Sequence, residues 1–134
     1  EYEGVAPEFM HGHLSENDLY RMGDQVVVLS NLYWSWRQPF YDAVFGYHWF
    51  IYHLSSVAGM TAEEIERQRA MWLSAIKALP QAQTKEGKRL LNLALLERAA
   101  EGLNLDSLML NPDEPLSAYL VEATRDKVKE LNKQ

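Results

Sequence analysis

The chain contains no cysteine. This excludes disulfide staples, thiolate metal sites and a cysteine nucleophile, and it leaves the compartment open, because a cysteine-free chain is equally at home in cytosol or periplasm. Glycine and proline are sparse, 7 and 5 of 134 residues, and no internal repeat or low-complexity segment accompanies them. Positive charge is also short. Thirteen Lys and Arg against nineteen Asp and Glu leave a formal net charge of −6, and the pI is about 5.2. A nucleic-acid-binding face needs clustered cations, so nucleic acid is not an expected partner. The two basic groupings, Lys85, Lys88 and Arg89, then Arg125, Lys127, Lys129 and Lys133, are interrupted by carboxylates and read as solvated helix faces.

Long hydrophobic runs are missing too. The most apolar stretch, residues 43–58, holds His48 and His53 and falls short of the roughly 20 apolar residues that a bilayer-spanning helix needs. No direct membrane insertion of residues 1–134 is expected. The chain opens at Glu1 without Met, which leaves room for an upstream signal, anchor or tag. Catalytic signatures are absent from the pattern: there is no Gly-x-Ser-x-Gly elbow and no glycine-rich phosphate loop. Helical metal centres use spacings such as Glu-x-x-His or His-x-x-x-His. His48 and His53 stand five apart and face different ways, and His11-Gly-His13 with Glu16 lies in a segment without period. No metal and no cofactor is expected, and the reading leans away from an enzyme.

What the chain has in abundance is aromatic surface. Ten of its fifteen aromatic residues fall between Tyr33 and Tyr52, with Arg37, His48 and His53 among them. Each buried Trp, Tyr or Phe removes roughly 150–250 Å² from water, so this segment must dominate a core, an interface or a pocket. Hydrophobic residues make up 47% and charged residues 24%, the balance of a globular chain.

The periodicity predicts an all-α fold, a compact bundle of about five helices with a buried, aromatic-rich second helix. Residues 1–14, with Gly4, Pro7 and Gly12 and no period, read as a flexible arm; residues 15–134 read as one helical-bundle domain. Ser15 to Asp18 resembles an N-cap, and Leu19, Met22, Val26, Leu29, Tyr33 and Trp36 then alternate by three and four as the stripe of a first helix. Gly23-Asp24 would nick it. Val26 to Leu29 is β-prone, a strand signal that the helical period outweighs. Arg37-Gln38-Pro39 breaks this helix and Pro39 enters the first turn of the second, about 39–58, which is apolar nearly all round and closes at Gly59. Thr61-Ala-Glu-Glu64 is a capping box for the third helix, which ends before Pro80. The fourth runs from Thr84 to Gly102. Residues 103–114 read as a loop pinned by Leu105, Leu108 and Leu110, and the fifth helix spans about 115–131 with pairs Glu122–Arg125, Asp126–Lys129 and Glu130–Lys133.

Two functional readings follow. On the first helix, Trp36 shares the main stripe and is expected to be buried, while Tyr20, Val27 and Trp34 form a second stripe on the opposite face, with Arg37 beside it. Exposed Trp and Tyr next to Arg are the residue types of binding hot spots. The leading expectation is a non-catalytic interaction module (adaptor, inhibitor, immunity or accessory subunit) that binds another protein or a second copy of itself through helices one and two. The alternative is a small-ligand or sensor domain. Its pocket would lie near His48, walled by Tyr41, Trp49 and Tyr52, since a few convergent polar groups in an apolar wall are how such sites are built.

Overall fold

The computed structural model describes residues 2–29, 33–104, 115–131 and 133. Four α-helices hold more than half of them: α1 (Tyr41–Leu54), α2 (Ala62–Lys77), α3 (Lys85–Asn104) and α4 (Pro115–Leu131). These answer to the second, third, fourth and fifth helices of the sequence pattern. Two small antiparallel sheets precede them, one pairing β1 (Glu8–Met10) with β4 (Ser35–Arg37), the other pairing β2 (Leu19–Met22) with β3 (Gln25–Val28). The molecule is therefore mostly helical rather than all-α, and its described residues form four α-helices rather than five.

Local signals explain each helix start. Thr61 is extended and its Oγ1 accepts from the Glu64 amide at 3.2 Å, satisfying one of the orphan donors that every helix N-terminus leaves. The reciprocal half of the box is not made by Glu64, whose carboxylate instead takes Arg67 and Gln68. At α3 the Thr84 hydroxyl accepts from the Gly87 amide at 2.8 Å. A Cβ on Gly87 would stand 1.8 Å from the Gln81 carbonyl oxygen, so only glycine lets the preceding 3₁₀ turn, Pro80–Gln83, lie against that first turn. Helix α3 continues past Gly102 to Asn104. Helix α1 starts later than expected: Pro39 precedes it, and Phe40, in the left-handed region at φ 67°, is its N-cap. On α4 the pairs Glu122–Arg125 and Asp126–Lys129 form, whereas Glu130 takes Lys127.

The core lies in two clusters joined by α1. One gathers Phe40, Val44, Ile76, Leu91 and Leu95; the other gathers Ile51, Tyr52, Ile65 and Leu120, with Ile65 and Leu120 wholly inaccessible. Helix α1 buries Val44, Phe45, His48, Ile51 and Tyr52, while Tyr41, Tyr47, Trp49 and Phe50 are half-buried and His53 is exposed. The aromatic-rich helix is thus central along one face only. The expected anchors Leu105, Leu108 and Leu110 lie outside the described residues.

The expected first helix is overturned. Residues 19–28 form the β2–β3 hairpin, in register Leu19↔Val28, Tyr20↔Val27, Arg21↔Val26 and Met22↔Gln25. Two physical features decide this. Val26 to Val28 are β-branched and prefer the pleated backbone. Gly23-Asp24 is a two-residue loop whose first position has φ 62°, as the type II′ turn of a tight hairpin requires. Ser15 precedes only one 3₁₀ turn, and its amide and hydroxyl donate to the Asp18 carboxylate at 2.9 and 3.0 Å. The first fourteen residues, read as an arm, lie along the bundle: β1 pairs with β4, Val5 packs on the first core cluster, and the Tyr2 hydroxyl donates to Glu97 at 3.0 Å.

Candidate functional site

A carboxylate joins the β1–β4 sheet to α1. Asp42, in the first turn of α1, accepts from the His11 and Gly12 amides at 2.8 Å each. Gly12 has φ 79°, and a Cβ there would stand 2.3 Å from the Tyr33 carbonyl oxygen. His13 then lies against Tyr33 and Phe45, with ring centroids 4.6 and 4.7 Å away. This locked crossing fixes both strands.

On the sheet, Phe9 and Trp36 are register partners, and strand alternation puts Trp34 on their side. The Phe9 ring stands 5.6 Å from both Trp34 and Trp36, and Trp34 lies 5.6 Å from His11. All three are open to solvent: Phe9 57%, Trp34 46% and Trp36 68% exposed. Trp36 was expected in the core. In an extended strand it shares the outward side with Trp34 instead of opposing it, and the helical stripe of Tyr20, Val27 and Trp34 does not exist. Tyr20 and Val27 meet as cross-strand partners on the hairpin, where Tyr20 is exposed and Val27 half-buried. Arg37 leaves the Trp34 side by the same alternation. Its Nε donates to the Ser35 hydroxyl at 3.0 Å, and its guanidinium covers the Tyr41 ring at 4.9 Å.

Among the described residues, ten of the twelve large hydrophobic side chains left exposed lie between Phe9 and Trp36. Every residue of β2 is exposed, and in β3 only Val27 is partly covered.

A second feature lies among the helices. His48 and Tyr52, with ring centroids 4.5 Å apart, line a small cavity of about 30 Å³ between all four helices. Tyr41 and Trp49 do not line it: Tyr41 stacks on Phe45, and Trp49 packs between Phe45 and His53. The remaining polar lining comes from Tyr47, Arg69, Arg98, Thr124 and Lys127. Burial pushes the Tyr47 hydroxyl up to about 12. Sequence reasoning missed these residues because they belong to four helices, and Lys127 in particular reads as part of a solvated face. No signal within one helix could have gathered them.

Among the described residues, no group of three or more His, Asp or Glu side chains is placed to hold a metal ion, and no helix is long and apolar enough to cross a membrane. Comparison with known protein families, curated proteins and solved structures finds no match.

Proposed function

We propose that this chain is a non-catalytic protein-interaction module whose binding face comprises the β2–β3 hairpin and the Phe9, Trp34 and Trp36 cluster. The observation that carries the reading is the hairpin, exposed along nearly its whole length with apolar residues on both strands. An isolated two-stranded hairpin is marginal in water, and contiguous apolar patches beyond a few hundred Å² are rarely left without use. A partner covering it would relieve both conditions. Trp and Tyr are hot-spot residues. In addition, both sheets have only two strands among the described residues, so their outer edges can accept an added strand. The partner is another protein or a second copy of this chain.

The test is association measured by light scattering for self-assembly and by calorimetry for a partner co-purified from the native source. Trp34→Ala and Trp36→Ala are each expected to weaken association by about 2 kcal/mol or more. Equal association by wild type and by a variant with Phe9, Trp34 and Trp36 all changed to Ser refutes the reading.

A second reading, a small-ligand sensor at His48, is favoured by the cavity that His48 and Tyr52 line. Its volume of about 30 Å³ is far below the roughly 150 Å³ of a cavity that holds benzene, so a compact polar occupant suits it better than an aromatic one.

A further inference from the structure

The cavity between the helices has a one-sided charge. Arg69 from α2, Arg98 from α3 and Lys127 from α4 all line it, and among the described residues no carboxylate does, in a chain of net charge −6. Three cations from three helices converge here although nothing in their sequence spacing requires it. Each is tethered at one end by a carboxylate one turn away on its own helix: Arg69 to Glu66 at 3.4 Å, Arg98 to Glu101 at 3.1 Å and Lys127 to Glu130 at 2.9 Å. The Arg69 and Arg98 side chains are only 15% and 11% exposed, so these cations are largely withdrawn from water.

The tethers do not use all the donors. The contact from Arg69 is the longest of the three, and its Nε is buried with no acceptor. A buried donor left unsatisfied is costly, and more so on a charged group. The hydroxyl of Thr124 and the rings of Tyr47 and His48 stand around the same space. A water needs roughly 10–15 Å³ of such space, so about 30 Å³ admits two waters or one compact multi-atom group. Guanidinium forks match planar or tetrahedral oxyanions, with short, charge-assisted bonds.

Resting on the ligand-pocket reading of His48, we infer that this cavity binds a small oxyanion, carboxylate or phosphate, between Arg69, Arg98 and Lys127. The occupant accepts from Arg69 Nε and closes the positive ring from inside, as the glutamates close it from outside. An anion here would tie α2, α3 and α4 together at one point.

The test titrates the whole chain with acetate, inorganic phosphate and acetamide at fixed ionic strength, read by calorimetry and by the ring resonances of His48 and Tyr52. Acetate or phosphate is expected to bind saturably and shift both rings, the stronger of the two identifying the source of the oxyanion. Acetamide, the neutral match in size to acetate, is expected not to bind. Arg69→Gln should weaken the anion by about tenfold or more, and Lys127→Gln, at a less buried position, should weaken it in the same sense. Lys129→Gln removes the same charge from an outward position on α4 and should leave binding unchanged. If acetamide binds as well as acetate, the anion inference falls while the pocket reading stands. If no probe binds saturably, both fall. Equal weakening by Lys129→Gln reduces the effect to net charge and overturns the site.

Discussion

Asp42→Ala should cost about 2–4 kcal/mol, a large loss for a single side chain. The carboxylate accepts two amide hydrogens at 2.8 Å, from His11 and Gly12, and both of those residues are buried. Hydrogen bonds to a charged group contribute about 1.5–3 kcal/mol each. A carboxylate in the first turn of a helix adds about 0.3–1 kcal/mol through the helix dipole. The full sum would exceed the expected loss, because the 11–13 segment can move outward and let water reach the two amides. Asp42→Asn keeps one acceptor oxygen and should lose about half as much. The assay is urea unfolding followed by circular dichroism, with hydrogen exchange at the His11 and Gly12 amides. Those amides should exchange far faster in the alanine variant, and the partner binding proposed for Phe9, Trp34 and Trp36 should weaken as their platform loosens. A stability change below about 0.5 kcal/mol, or unchanged exchange at His11 and Gly12, would refute the idea that Asp42 holds the sheet.

Other outcomes separate core from surface. Leu120→Ala, at a wholly inaccessible position among Ile51, Tyr52 and Ile65, should cost about 2–5 kcal/mol in chemical denaturation. Trp36→Ala should move the melting temperature little, since Trp36 is 68% exposed; a loss as large as that of Leu120→Ala would mean the sheet packs inward. Tyr47, raised to about 12 by burial against a free value of about 10, favours the folded state while neutral. Its contribution is fully present below pH 10 and is lost as pH rises through 12, because the unfolded chain releases its proton first. Tyr2, Tyr41 and Tyr119 are held up as well, so tyrosinate absorbance should show several late-titrating groups, one of which Tyr47→Phe removes, and an unchanged late titration in that variant would contradict the burial.

The helices were legible because capping and period agree. Thr61, Thr84 and Pro115 each stand at the start of a segment whose apolar stripe lasts three turns or more, and all three segments are observed as α2, α3 and α4. The N-terminal third was misread because a helical spacing overlapped a hairpin turn signal. Leu19, Met22, Val26 and Leu29 fit a helical stripe by spacing, yet the stretch folds back on itself about a two-residue Gly23-Asp24 loop. The hairpin signal was that loop, flanked by β-prone residues, and it outweighs the stripe. Trp34 and Trp36 followed the same error: two residues apart, they oppose each other on a helix and share a side on a strand. For the site, His48 and Tyr52 could be paired from their one-turn spacing, whereas Arg69, Arg98 and Lys127 converge only through helix packing.

The tip of the β2–β3 hairpin gives the protein a built-in handle. Gly23 stands in open space, with no described atom beyond its chain neighbours within 4 Å of where a Cβ would sit, and Arg21 Nε donates to its carbonyl at 2.9 Å. A short peptide tag or a fluorophore grafted between Gly23 and Asp24 would leave the helical core untouched while riding on the proposed contact surface. Its colour or polarisation would then report docking as it happens, on a chain that has no cysteine and can therefore take a single engineered thiol at that tip without competing labels.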